Sequence, residues 1–225
     1  MERTVVVGLG GIGGALVEPL ARYLTYSKSA KELWLVDGDI FERKNGERQR
    51  MLETDAGRHK ADVWGERIQK AFPDLFARSF SSYLTPQNIR DILPSGSAVL
   101  LAVDNHATRN LVQCHASKLR DVVLISGGND FSDGNVQVFA KRRGRALLPP
   151  ITNHHPEIEF PEDRRPDEIG CDEMVFNSPQ LLFANLTAAV VMLNTFYAFA
   201  KGSEPAYAEA YFDVMKNRVR PVVRT

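Results

Sequence analysis

The feature that most constrains this chain is a glycine-rich turn close to its start. Three valines, Val5–Val7, run directly into Gly8-Leu9-Gly10-Gly11-Ile12-Gly13, and a helical pattern follows. Between a strand and a helix, glycines allow a tight turn, and the helix N-terminus offers free N–H groups and a partial positive charge. We therefore predict that the turn cradles nucleotide phosphates through Gly8, Gly10, Gly11 and Gly13. The turn alone does not identify the nucleotide, because dinucleotides and ATP both use it.

The remaining sequence alternates short β-rich runs with longer helical ones. We predict strands at 4–7, 32–36, 78–80, 98–102, 122–126 and 135–140, and helices at 11–26, 60–72, after 86, and at 108–119. This alternation indicates an α/β fold, a Rossmann-like doubly wound and mainly parallel sheet with helices on both faces. A length of 225 residues suits a single domain.

Within that domain we predict three parts. Residues 1–140 form the nucleotide-binding core, and residues 141–178, rich in proline and charge, form a long loop. Residues 179–225 form an apolar helix, capped by Ser178 with Pro179 in its first turn, and an antiparallel C-terminal hairpin.

Bulk composition excludes several classes of partner. Lys plus Arg equals Asp plus Glu at 28 each, so we expect no general attraction to nucleic acid or to an anionic membrane. The apolar stretch 181–200 is interrupted by asparagine and threonine, which favours a helix in the core or at a subunit interface over a membrane span. Two cysteines, and no leader before the first strand, predict a cytoplasmic protein.

Acidic residues follow two of the predicted strands. Asp37 and Asp39 end the second strand, where a carboxylate accepts hydrogen bonds from ribose hydroxyls. Asp104 follows the apolar strand 98–102, at the carboxyl edge where open α/β sheets bind ligands. The alternative for Asp104 is an N-cap of the next helix. In a nicotinamide-dependent oxidoreductase, a single acidic residue at the end of the second strand suffices, so that alternative also stays open.

Several spaced motifs extend this pattern. They are Asp37-x-Asp39, then Asn45-x-x-Arg48-Gln49, then Gly57-x-x-Lys60, and finally Asp104-Asn105 with Arg109 nearby. Together with Leu124-Ile125-Ser126-Gly127, they resemble the signature of the ThiF/MoeB/HesA family of ubiquitin-activating (E1-like) adenylyltransferases. The resemblance covers residues 3–140.

The resemblance implies an adenylyltransferase that uses ATP and Mg²⁺. It makes Asp104 the Mg²⁺-directing carboxylate and Asp39 the ribose ligand, with Asn45 orienting the phosphates and Gln49 and Asn105 completing the nucleotide site. Arg48 and Lys60 would supply positive charge, and the chemistry supports this, because a carboxylate must attack a phosphate that is itself anionic. Arginine suits bidentate oxygen contacts and lysine suits a point charge. Each alone could equally be a surface residue.

Cys171 lies in the long loop, two residues before Glu173. It resembles the family cysteine that takes the acyl group as a thioester or a persulfide-linked intermediate, and the alternative is an incidental cysteine. The family's paired Cys-x-x-Cys motifs are absent, so we expect no structural zinc. His154 and His155 with Cys171 match no standard metal spacing. Cys114, in a predicted helix, is expected to fill the core.

The implied partner is a ubiquitin-like or sulfur-carrier protein with a C-terminal glycine, and the implied assembly is a homodimer. Many relatives carry an arginine on a helix ahead of the first strand, whereas here the strand starts at Thr4. That departure keeps open a second alternative, a non-catalytic member of the family that binds or scaffolds a partner.

Overall fold

A computed structural model describes residues 3–27, 32–169, 181–203 and 205–224. Cys171, Ser178 and Pro179 lie outside these ranges. The strands are β1 (Arg3–Val7), β2 (Glu32–Val36), β3 (Phe76–Phe80), β4 (Ser97–Leu101), β5 (Val122–Asn129), β6 (Asp133–Arg142), β7 (Arg145–Leu148), β8 (Glu209–Asp213) and β9 (Arg218–Val222). The α-helices are α1 (Gly11–Ser27), α2 (Lys60–Ala71), α3 (Ile89–Ile92), α4 (His106–Ala116), α5 (Pro156–Glu159) and α6 (Leu182–Ala200).

One mixed sheet organises the described chain. Its strands lie in the order β3-β2-β1-β4-β5-β6-β8-β9, with β7 paired to β6. The pairs from β3 through to β5 are parallel, and those from β5 onward are antiparallel. The predicted fold class is therefore confirmed, including the antiparallel C-terminal extension.

The two faces of the sheet bury separate apolar clusters. Alternate strand residues such as Val6 and Leu100 pack under α1, α2 and α6, whereas Val5 and Leu101 pack on the opposite face with α3 and α4. The apolar runs Val5–Val7 of β1 and Ala98–Leu101 of β4 are buried because both faces of these strands are covered. The carboxyl ends of β1, β2 and β4 consequently meet at one edge, beside the N-terminus of α1.

Helix α6 is the least polar element. Leu182–Ala200 is long and apolar enough to cross a membrane by length and composition alone, and half of that stretch is buried inside the protein. Core helices of soluble proteins pass the same test, so this observation is weak evidence for a membrane span. The helix begins at Leu182, with Leu181 as its N-cap, which places its start after the predicted Ser178 cap.

The predicted loop 141–178 is wrong for its first part. Strand β6 continues to Arg142, and β7 returns along it through a two-residue turn. Residues 149–169, which we call the strap, contain α5 and two short 3₁₀ turns. The strap lies along α4, because Asn110 Nδ2 donates to the Ile158 and Glu159 carbonyls at 2.7 and 2.9 Å, and Ile151 N–H donates to Gln113 Oε1 at 3.1 Å.

Replacing Gly13 by alanine should destabilise the fold. A Cβ at this position would lie 1.8 Å from the Gly8 carbonyl oxygen, a backbone atom that cannot move aside. We expect Gly13→Ala to lower the free energy of unfolding by about 1–3 kcal/mol in chemical denaturation. Gly46→Ala is the matched control, since no atom of the described residues lies within 4 Å of its added Cβ. Equal stability of the two variants would contradict this account.

Candidate nucleotide site

The glycine turn is wedged between the ends of β2 and β4. Gly8 has φ of +85° and donates its N–H to the Val36 carbonyl at 2.9 Å. A Cβ on Gly8 would lie 2.6 Å from the Ala102 carbonyl oxygen. Both the left-handed backbone and the close approach therefore require glycine. This packing sets the N-terminal amides of α1 beside the loops that follow β2 and β4.

Asp37 fixes the turn to the end of β2. Its Oδ2 accepts the Leu9 N–H at 2.6 Å, and its Oδ1 accepts the Asp39 N–H at 2.8 Å. Burial raises the pKa of Asp37 to about 6, even though Lys60 and the two N–H donors act in the opposite direction. Both oxygens are thus occupied by backbone donors, so the contribution of Asp37 to a nucleotide site is to hold the turn and Asp39 in place.

Asp39 and Lys60 form an ion pair next to the turn. Lys60 Nζ donates to Asp39 Oδ2 at 2.9 Å, and Tyr83 OH donates to Asp39 Oδ1. The Lys60 side chain is only 7% exposed, whereas that of Asp39 is 48% exposed. Partial burial acts to raise the pKa of Asp39, but the charge and hydrogen bond of Lys60, together with the hydrogen bond from Tyr83, lower this pKa below its ordinary value. The structure therefore brings together a predicted ribose ligand and a predicted phosphate-binding cation.

The Asn45 segment folds over the turn from the other side. Asn45 is buried and accepts the Glu42 N–H on its Oδ1 at 3.0 Å, which shapes the 3₁₀ turn Arg43–Glu47. Gln49 Nε2 lies 3.6 Å from the position that a Cβ on Gly10 would take. Arg48 sits between these two residues and is half-buried. Asn45, Arg48 and Gln49 thus belong to one segment that ends against the glycine turn.

Asp104 and Asn105 have different roles at the start of α4. Asn105 Oδ1 accepts the Thr108 N–H at 2.7 Å, so Asn105 is the N-cap that the sequence left open for Asp104. Asp104 is exposed, and within the described residues its carboxylate accepts no hydrogen bond. Asp104 lies two residues beyond Ala102, whose backbone packs against Gly8. The packing that shapes the glycine turn therefore also positions the backbone next to Asp104.

Arg109 supports the loop that carries Asp104. Its guanidinium is buried and donates to Ser126 Oγ at 2.7 Å and to the Val103 and Gly127 carbonyls at 2.6 and 2.9 Å. Burial lowers the pKa of Arg109 to about 10, and the negative charge of Asp104 acts against this effect. In the described part of the chain this buried cation makes no direct contact with a carboxylate, which favours an anionic group at Asp104.

The strap reaches the same loop through Asp163. Its carboxylate accepts the N–H groups of His106 and Ala107 at 2.7 and 2.8 Å, at the N-terminus of α4. These amides belong to the first turn of the helix, which a negative charge stabilises. Sequence reasoning missed this contact, because 56 residues separate Asp163 from Ala107.

Asn185 is a second residue that sequence reasoning missed. It lies in the first turn of α6, is fully buried, and would collide with a Cβ on Gly11 at 2.2 Å from its Nδ2. Among the residues that the structure describes, neither polar atom of its amide has a hydrogen-bond partner. The only signal in the sequence is a polar residue within a stretch that is otherwise apolar. Asn185 thus places the start of α6 against the glycine turn.

Other candidate residues do not join this site. Cys114 is exposed rather than buried, with its Sγ 3.3 Å from Asn110 Oδ1, so its expected role in the core is wrong. His155 forms hydrogen bonds with Glu157 and Glu209, at 2.9 and 3.0 Å, away from the glycine turn. Cys171 lies outside the described residues.

The described residues contain no cluster of three His, Cys, Asp or Glu side chains placed to hold a metal ion. Mg²⁺ does not need such a cluster, because it is commonly held by one or two carboxylates together with substrate phosphates. The exposed Asp104 carboxylate, without a hydrogen-bond partner in the described chain, fits that donor set.

Known proteins share part of the sequence of this chain. The chain is 35% identical over 136 residues to the sulfur carrier protein adenylyltransferase of Thermus thermophilus, which covers 60% of this chain and 48% of that protein. It is 28% identical over 187 residues to the tRNA threonylcarbamoyladenosine dehydratase of Haemophilus influenzae, covering 81% and 70%. The chain spans about half the length of several of its curated relatives.

Solved structures show the same fold. The crystal structure of E. coli MccB with ATP covers all of this chain at a TM-score of 0.73 and 18% identity, and this chain covers 64% of it. The model of the ThiF family matches residues 1–220, which include every described motif of the site. The chain belongs to the ThiF family.

Proposed function

We propose that the chain is an adenylyltransferase that uses Mg²⁺ and ATP to activate the C-terminal carboxylate of a ubiquitin-like or sulfur-carrier protein. The observation that carries this proposal is the buried Lys60 paired with Asp39, next to a glycine turn that Asp37 fixes in place. Relatives named for adenylylation of sulfur carriers and for activation of small protein modifiers support the substrate class.

The proposed reaction joins two anions. An oxygen of the partner's terminal carboxylate attacks the α-phosphorus of ATP, a new carboxyl O–P bond forms, and the bond to pyrophosphate breaks. The amides of the glycine turn would hold phosphate oxygens, and Lys60 and Arg48 would offset negative charge in the transition state. Mg²⁺, held by Asp104 and the phosphates, would supply charge neutralisation for the leaving pyrophosphate. Asp39 would receive the ribose hydroxyls.

Two finer steps extend this proposal. Cys171 would take the acyl group from AMP as a thioester, with AMP as the leaving group. The site would work in the cytoplasm, as the cysteine content of the chain suggests.

We also propose that the chain forms a homodimer through α1 and α6. Helix α6 carries no charged residue, yet Phe183, Val190 and Tyr197 are each more than half exposed. Tyr23 of α1 packs edge-on against Tyr197, and Tyr26 beside it is 76% exposed. The exposed apolar residues of α6, with Tyr23 of α1 beside them and the Glu18–Arg22 ion pair of α1 at their margin, suit an identical face related by two-fold symmetry.

Removing the Lys60 charge should abolish the exchange reaction. We expect Lys60→Ala to slow ATP–pyrophosphate exchange in the presence of the carrier by about a hundredfold or more, because a preorganised charge at the phosphates is lost. Lys70→Ala, an exposed lysine of the same helix, is the control and should keep the wild-type rate. Unchanged exchange in Lys60→Ala, or no exchange with any carrier ending in glycine, would count against the proposal.

Acidification should weaken nucleotide binding through Asp37. As the pH falls through about 6, the carboxyl group takes up a proton and can no longer accept both the Leu9 and Asp39 N–H groups as an anion. The wild type should bind Mg·ATP more tightly than Asp37→Asn at pH 8, and this advantage should shrink below pH 6. Comparing the two proteins at each pH in calorimetric titrations cancels the titration of ATP itself.

Protein stability should change in the opposite direction. The pKa of Asp37 in the folded state lies above its ordinary value of 3.8, so the folded state binds more protons between pH 3.8 and about 6. The contribution of Asp37 to stability is therefore present below pH 3.8 and is lost as the pH rises through 6. For ATP binding, the role of Asp37 would be refuted if the wild type kept the same advantage in affinity over Asp37→Asn from pH 8 to pH 5.

A charge placed on the exposed face of α6 should prevent dimer formation. We expect Val190→Glu to convert a dimer into a folded monomer in light scattering, because two buried carboxylates would face each other in the symmetric interface. Val219→Glu, at an equally exposed valine of β9, should leave the dimer intact. A wild-type protein that is monomeric at high micromolar concentration would rule out this assembly.

A further inference from the structure

Asp39 is held on both of its oxygens by side chains that have other possible uses. Lys60 Nζ binds Oδ2 at 2.9 Å, and Tyr83 OH binds Oδ1. In the proposed function, Lys60 faces the triphosphate of ATP. The triphosphate carries several negative charges and therefore attracts the Lys60 ammonium group more strongly than the single carboxylate of Asp39 does. When Lys60 moves toward the phosphates, Asp39 loses its cation, and the Tyr83 hydroxyl is the remaining side-chain donor among its described contacts.

The position of Tyr83 is fixed by its surroundings. Its ring lies on Gly38, where an added Cβ would come within 2.6 to 2.8 Å of three ring carbons. The Asn88 Nδ2 donates to the Tyr83 carbonyl at 2.9 Å, and Asn88 and Thr85 exchange hydrogen bonds that hold the loop after β3. The contact of the ring with Gly38 and the hydrogen bond from Asn88 to the backbone therefore hold the Tyr83 hydroxyl next to Asp39.

This loop lies on the nucleoside side of the site. The phosphate turn follows β1, Asp39 follows β2, and Tyr83 follows β3, and these three parallel strands are adjacent in the sheet. A nucleotide with its phosphates at the turn and its ribose at Asp39 extends in the direction of Tyr83. Burial and the negative charge of Asp39 raise the pKa of Tyr83, so its hydroxyl keeps the proton that it donates.

Building on the proposed function, we propose that Tyr83 is a positioning residue for the nucleoside. Its hydroxyl holds the Asp39 carboxylate in the orientation that accepts the ribose hydroxyls, and does so after Lys60 has turned to the phosphates. One lone pair of Oδ1 serves Tyr83, and the carboxylate keeps further acceptor sites for the ribose diol. Tyr83 thereby favours ribonucleotides over nucleotides that lack ribose hydroxyls.

Equilibrium binding of ATP and of 2′,3′-dideoxy-ATP, each with Mg²⁺, tests this inference in the full chain. Tyr83→Phe removes the hydroxyl and keeps the ring on Gly38. We expect it to weaken ATP binding by about tenfold, the scale of one hydrogen bond to a charged group, and to change dideoxy-ATP binding by less than about twofold. Tyr211→Phe is the control, because Tyr211 OH also binds a carboxylate, that of Glu209 at 3.1 Å, far along the sheet.

A second variant displaces Tyr83 without altering it. Gly38→Ala places a Cβ against the ring, so it should reduce the preference for ATP over dideoxy-ATP in the same way as Tyr83→Phe. Equal weakening of both nucleotides, or of neither, in Tyr83→Phe would overturn the inference, as would a full preference retained in Gly38→Ala. A wild-type protein that binds ATP with no preference over dideoxy-ATP would overturn it too. Failure of the wild type to bind ATP at all would instead overturn the proposed function.

Discussion

The hydrogen bond between the Asp37 carboxylate and the Leu9 N–H is the interaction on which the rest of the site depends. It joins the end of β2 to the glycine turn at 2.6 Å, and the second oxygen of the same carboxylate holds the backbone of Asp39. Two loops that are 28 residues apart thus share one buried anion. If this anion were removed, the glycine turn and the Asp39 backbone would lose the carboxylate that holds them in a fixed relative position.

Much of the fold follows from local signals. The continuous apolar strands and the glycine turn predicted the parallel core because both faces of β1 and β4 are covered, and the spacing of Asp37, Asn45, Lys60 and Asp104 predicted which loops meet. The strap was not predicted, because its proline-rich sequence has no period, and its order comes from contacts such as Asn110 with Ile158 and Asp163 with His106. Tertiary contacts of this kind have no signature in a single sequence.

Individual roles at the site were harder to predict than its location. Motif spacing predicted that Asp37 and Asp39 would both serve the nucleotide, but only coordinates show that backbone donors occupy Asp37. Similarly, the sequence left open an N-cap role for Asp104, whereas in the structure the Thr108 N–H donates to Asn105. The burial of Asn185 against Gly11 depends on where α6 crosses α1, which no local pattern encodes.

Family membership narrows the alternatives that the glycine turn left open. The relatives bear the names of adenylyltransferases, activating enzymes and a dehydratase, and a nicotinamide-dependent oxidoreductase does not fit this family. The acidic motif, the buried lysine and the exposed Asp104 are all present in this chain, and they support the catalytic role proposed above over a scaffold.

The contact of Asp163 with the start of α4 has a consequence for biosynthesis. A ribosome adds residues from the N-terminus, so β1 to β4 and α4 emerge well before residue 163 does. Until then the His106 and Ala107 amides lack the carboxylate that caps them in the finished protein. The start of α4, next to Asp104, therefore acquires its final contacts late in translation, and a chain released before the strap is complete would keep the parallel core but lack the Asp163 contact at this helix end.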